Sequence, residues 1–119
     1  MKVYWDSSAL VAATLDVKVR RRLTASDAVT RTHALAEVFS TLTGSRLGFR
    51  VDADDATEVI RDLISEIKMM ERSVAQTLAA LSEARARGVR GGQVHDYLHA
   101  VAARKANCTS LMTLNNAFP

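Results

Sequence analysis

Three acidic residues stand apart from the other charges of the chain because their neighbours are apolar. Asp6 sits between Trp5 and Ser7-Ser8-Ala9-Leu10, Glu37 lies in His33-Ala34-Leu35-Ala36-Glu37-Val38-Phe39, and Asp96 lies in Val94-His95-Asp96-Tyr97-Leu98. A carboxylate buried alone is destabilising or takes up a proton, so three gathered near one sheet edge would want a cation. Hard cations take oxygen ligands, which makes Mg²⁺ or Mn²⁺ the matching ion. Each residue also has a plainer reading. Asp6 is an equally good N-cap for the helix that follows, Glu37 can pair with a nearby arginine, and Asp96 can pair with His99 one turn on. Taken singly, none of the three decides for chemistry.

Other reactive types are less suggestive. His95 and His99 have the i, i+4 spacing that can bind zinc, but no glutamate directly follows the first histidine as a zinc protease requires. Surface or structural histidines are the better reading. Cys108 has no base nearby and precedes an apolar run, so an idle thiol fits better than a nucleophile. Met69, Met70 and Met112 read as packing. No Gly-rich phosphate loop is present; Gly91-Gly92 reads as a turn into a helix.

The acidic trio needs elements that bring it together. Lys2-Val3-Tyr4-Trp5 is short, aromatic and β-branched, and predicts a strand. Ser7 or Ser8 is a suitable N-cap for a helix from Ala9 to about Leu15, and a second helical piece covers Val17 to Leu23. Ala28 to Arg31 predicts the second strand. Thr32 then caps a helix from His33 to about Thr43, stopped by Gly44, with Leu35, Val38, Phe39 and Leu42 on the core side. An amphipathic helix runs from Asp52 or Asp54 to about Arg72, with Val59, Ile60, Leu63, Ile64 and Ile67 on one stripe. A brief strand near Ser73-Val74, a helix from Gln76 to Arg87, a helix from Gln93 to about Ala106 and a strand at Ser110 to Thr113 complete the pattern. Short strands separated by helices imply an α/β fold, a parallel sheet covered on both faces. Ligands of such sheets sit beyond the carboxyl ends of the strands. Asp6 ends the first strand, and Asn115 ends the last.

Composition sets the outer bounds. The chain has 119 residues, 48% of them apolar and 24% charged, which fits one globular domain, residues 1–119. One cysteine excludes an internal disulfide framework and any cysteine-rich zinc site, and points to a reducing, cytoplasmic setting. No apolar run approaches the ~20 residues of a membrane span, and Asp6 interrupts any signal-peptide pattern, so no membrane role is expected. A net charge of +3 and a pI near 9.4 lean mildly toward anionic partners.

Four blocks, in this order, resemble the PIN-domain ribonucleases, specifically the small VapC-type toxins of prokaryotic toxin–antitoxin pairs. Lys2-Val3-Tyr4-Trp5-Asp6-Ser7-Ser8-Ala9-Leu10-Val11 is similar to the opening strand–Asp–Ser/Thr–helix motif. Leu35-Ala36-Glu37-Val38 is similar to the second acidic motif, and the stretch from Gln93 to Ala103, with Asp96, to the third. Leu111-Met112-Thr113-Leu114-Asn115-Asn116-Ala117-Phe118 resembles the fourth, with Asn115 where an aspartate often stands.

The resemblance covers nearly the whole chain and implies a three-layer α/β/α PIN-like domain with a central parallel sheet. Relatives usually continue beyond the position of Pro119 into a further edge strand. Metal-dependent endonucleolytic cleavage of RNA is the implied activity. Asp6 and Asp96 would be direct ligands of Mg²⁺ or Mn²⁺, and Glu37 a ligand or the orienter of a water. Ser7, Ser8, Thr113 and Asn115 would support the carboxylates. Arg20, Arg21, Arg22, Arg46 and Arg50 are candidates for the RNA backbone, and serve equally well as solvated charges. The implied partners are RNA, a cognate antitoxin lying near the helix that starts around Asp54, and a second copy in a homodimer. The alternative is a catalytically weak or inactive PIN-like module that binds RNA or protein without cutting. A receiver-like phosphoacceptor domain would want an early acidic pair and a lysine near the last strand, and has neither.

Overall fold

The computed structural model describes residues 2–45, 47–71, 73–105 and 110–112. Strand β1 (Lys2–Trp5) is followed by helices α1 (Ser7–Leu15) and α2 (Val17–Ala25) and strand β2 (Asp27–Arg31). Helices α3 (Thr32–Thr43) and α4 (Ala53–Ile64) lead to strand β3 (Lys68–Met70). Helices α5 (Val74–Ala86) and α6 (Gln93–Lys105) precede strand β4 (Ser110–Met112). The strands form one sheet in the order β3-β2-β1-β4, and all three pairings are parallel. Because the order reverses at β1, the chain leaves β1 toward β2 on one side and returns to it as β4 on the other.

Alternation along the strands sends successive side chains to opposite faces. Val3, Trp5 and Ala28 pack into one buried apolar cluster with Leu10 of α1, Leu23 of α2, Val38 and Leu42 of α3, and Leu63 of α4. Tyr4 points to the other face, where its hydroxyl meets His99 of α6. There Leu98 and Val101 of α6 pack on Ala80 of α5 in a smaller cluster. Helices therefore cover both faces, as the expected three-layer architecture requires. Thr30 adds a polar tie inside the sheet, its hydroxyl donating to the Trp5 carbonyl at 2.7 Å.

Local chemistry explains where elements begin and end. Asp6, rather than Ser7 or Ser8, is the N-cap of α1: its backbone is extended and its carboxylate accepts from the Ala9 amide at 3.0 Å. Thr32 is the first residue of α3 rather than its cap, and the capping position, Arg31, makes no side-chain capping bond. Phe39 is 37% exposed, and Ala34 occupies the buried position toward the core instead. Gly44 ends α3 where a Cβ would come within 2.9 Å of the Ser40 carbonyl oxygen. Helix α4 stops at Ile64, short of Arg72, and the third strand is Lys68–Met70 rather than a segment near Ser73-Val74. Ser73 instead closes a reciprocal capping box with Gln76 at the start of α5.

Candidate metal site and cleft

The start of α1, one side of α3 with the turn after it, and the start of α6 enclose a cleft of about 740 Å³. Ser7, His33, Glu37, His95 and Asp96 line it, with Ser40 and Thr41 of α3 on its wall. Gly91, with φ +56°, makes the left-handed turn that feeds α6, so that His95 and Asp96 fall in its first turns beside the cleft.

Asp6 is buried, and its Oδ1 accepts from the Ser8 hydroxyl at 2.7 Å and from the Ala9 amide at 3.0 Å. The second carboxylate oxygen takes part in neither bond. Capping and ligation therefore do not compete for the same atom. Ser8 thus supports Asp6 directly, while Ser7 faces the cleft.

Glu37 is held from behind. Its Oε1 lies 3.0 Å from Nε2 of His99, a residue only 2% exposed, and Nδ1 of His99 lies 2.8 Å from the Tyr4 hydroxyl. Burial pushes the Tyr4 phenol up to about 12 despite the Arg31 charge beside it, so the phenol keeps its proton at neutral pH. The ionised Glu37 carboxylate can only accept, so Nε2 of His99 donates to it. Burial would raise the Glu37 carboxyl, but the bond from His99 and the charges of His99, His33 and Arg31 outweigh it and hold the group below its ordinary value. The partner of Glu37 is thus a buried histidine rather than an arginine.

Asp96 behaves in the opposite way. Burial raises its carboxyl, the negative charges of Asp6 and Glu37 raise it further, and His99 and His95 only partly offset them. Asp96 of α6 therefore lies in the field of Asp6, just past β1, and of Glu37 on α3, and among the described residues no hydrogen bond supports it. Carboxylate oxygens are hard ligands that suit a divalent ion, but among the described residues the set whose ligand atoms all lie within 4.8 Å of one another is His33, Glu37 and His95 rather than the three carboxylates.

The other sequence candidates lie elsewhere. Arg20 is bound to Glu66 at 2.9 Å and to Asp62 at 3.1 Å, beside a separate depression between α1 and α2. Arg21, Arg22 and Arg50 are exposed, and none of them lines the cleft. Arg46, Cys108, Thr113 and Asn115 lie outside the described residues. Two residues were missed. His33 stacks on His95 with ring centroids 5.7 Å apart and planes 11° from parallel. Burial lowers its pKa, and against the pull of Glu37 the charges of Arg31, His95 and His99 lower it further. Arg31 is buried at the end of β2, with Nε and one terminal nitrogen lacking a hydrogen-bond partner among the described residues. The i, i+4 spacing of His33 and Glu37 was the available signal for the first; position at a strand's carboxyl end was the signal for the second.

No protein-family model and no curated protein sequence matches the chain. Solved structures do. The VapC20 toxin of Mycobacterium tuberculosis, described as cleaving the sarcin–ricin loop, superposes with a TM-score of 0.73 at 14% identity, covering 98% of this chain and 92% of that one. PAE2754 of Pyrobaculum aerophilum superposes with a TM-score of 0.71 at 19% identity, covering 99% and 77%. The chain thus has the α/β/α fold of a VapC-type PIN domain, as its motifs suggested. Among the described residues, no helix is long and apolar enough to cross a membrane.

Proposed function

We propose that residues 1–119 form one PIN-like domain acting as a divalent-metal-dependent endoribonuclease, the toxin of a toxin–antitoxin pair. The observation that supports this reading is that Glu37 and Asp96 line one cleft, with Asp6 near enough for its charge to add to the burial that raises Asp96. The fold shared with an RNA-cleaving toxin supports it. Asp6 and Asp96 would hold Mg²⁺ or Mn²⁺, with Glu37 as a third ligand or as the orienter of a water. The ion would activate water and offset charge developing on a phosphate.

The chain's own groups then do the positioning. Ser8 and the Ala9 amide fix Asp6 so that one oxygen stays available, and His99 fixes Glu37 from the side away from the cleft. Ser7 offers the cleft a hydroxyl for a phosphate oxygen. Arg21, Arg22 and Arg50 would meet the RNA backbone at a distance from the cleft, together with whatever share of Arg20 its acidic partners leave; Arg46, outside the described residues, is a further candidate. Thr113 and Asn115, outside the described residues, would support the carboxylates. An antitoxin near α4, a homodimer and a cytoplasmic location complete the reading.

The test is cleavage of a structured RNA, including a sarcin–ricin stem-loop, with Mn²⁺ and with chelator. Asp6→Asn and Asp96→Asn should each lower the rate on the order of 100-fold or more, since loss of a ligand exceeds loss of its outer support. Asparagine still caps α1, so circular dichroism should be unchanged. Full cleavage by either variant, or RNA binding without any cleavage by the parent chain, would overturn the assignment.

A further inference from the structure

We propose that His33, Glu37 and His95 form a second divalent-metal site, one that takes borderline transition ions such as Zn²⁺ or Co²⁺ and shares Glu37 with the three-carboxylate site. One ligand atom from each of these side chains lies within 4.8 Å of the other two. Bonds of about 2.0–2.2 Å in tetrahedral geometry need ligand atoms about 3.3–3.6 Å apart. His33 and His95 are exposed, so modest side-chain rotation closes that gap. The backbone already sets the approach: His33 and Glu37 share a face of α3 at i, i+4, and His95 arrives from the first turn of α6.

Chemistry separates this set from the acidic one. Two imidazoles and one carboxylate, with a position open to the cleft, match the ligand set of catalytic zinc sites rather than the all-oxygen shell of Mg²⁺. The support behind the carboxylate is built as well. Ligating carboxylates are themselves hydrogen-bonded in working sites, and Glu37 is gripped through Oε1 by buried His99, itself bonded to buried Tyr4. The same buried chain removes His99 from competition. Both of its ring nitrogens are engaged, so the histidine that sequence spacing pairs with His95 is unavailable to a metal, and His33 takes its place.

The site goes beyond the ribonuclease reading and depends on it only through the shared Glu37. Its test is a visible-absorption titration of the metal-free chain with Co²⁺. We expect about one equivalent to give the intense ligand-field bands of a four- or five-coordinate, nitrogen-containing site, and Zn²⁺ to displace it. His33→Ala and His95→Ala should each weaken Co²⁺ binding about 10-fold or more, while Asp96→Asn should retain the bands. Bands that survive both histidine substitutions, or vanish only with Asp96→Asn, would overturn the site, as would no saturable binding. A chain that binds Co²⁺ through the histidines but cuts no RNA would uphold this site and overturn the nuclease.

Discussion

The two faces of the sheet are built on different principles. On one, Val3, Trp5 and Ala28 meet four helices in a continuous apolar cluster. On the other, Tyr4, Arg31 and His99 are buried polar groups, and the apolar packing behind them is the small cluster of Ala80, Leu98 and Val101. Apolar burial is the larger stabilising term, while buried polar groups contribute little net energy and are costly when a partner is missing. The first face therefore holds the fold, and the second trades stability for carboxylates held in place. That division is the usual signature of a site grafted onto a scaffold.

The division can be broken from either side. Leu42→Ala, at a fully buried position of the apolar face, should cost about 2–5 kcal/mol in urea denaturation. A loss below about 1 kcal/mol would mean that this face is not the main source of stability.

His99→Ala should cost less, about 1–3 kcal/mol, chiefly by stranding the Tyr4 hydroxyl and the Glu37 carboxylate. It also changes the acid profile. The folded-state pKa of Glu37 is depressed, so its contribution is present above the ordinary carboxylate value and is lost as pH falls through the depressed one. The variant should show an upward-shifted Glu37 titration by carboxyl-carbon NMR and a shallower loss of stability in acid. An unmoved Glu37 titration would show that His99 does not hold it.

The smallest effect has the opposite sign. Asp96 has a raised pKa, so the folded state holds its proton more tightly than the unfolded chain, and stability is lost as pH rises through the raised value. In chelator, Asp96→Asn should melt slightly above the parent at neutral pH and together with it in acid. Identical melts at both would mean that the three carboxylates do not repel one another.

Legibility followed the same division. β1, β2, α1 and α6 were readable because their apolar patterns, and for α6 the Gly91-Gly92 turn before it, agree with the tertiary structure there. β3 was not: Lys68-Met69-Met70 has weak strand propensity and continues the apolar stripe of α4. It becomes a strand because Val29, Thr30 and Arg31 of β2 offer an in-register parallel edge, which no local pattern announces. Asp6 was legible through the strand-end rule for parallel sheets, and Glu37 and Asp96 through their apolar neighbours and the motif resemblance. The His33–His95 stack was not, because spacing along α6 pairs His95 with His99, whereas the fold brings its neighbour from α3. Arg31 was read only as the end of a strand, since nothing in its sequence surroundings says that a guanidinium will be buried.

The position of β1 between β2 and β4 has a consequence during synthesis. Val3 pairs with Ser110, more than a hundred residues downstream. At about 5–20 residues per second, a ribosome needs on the order of 5–20 s to make that stretch. Throughout that interval the nascent chain can pair β1 with β2 but leaves the opposite edge of β1 with unmatched amides and carbonyls, a surface open to strand addition by other chains. Closing so long a loop also makes the final pairing a slow, late event in folding. Asp96 is translated late in the same interval, so the acidic trio cannot assemble until most of the chain has been made. Whatever this site does, it is withheld until translation has almost reached β4.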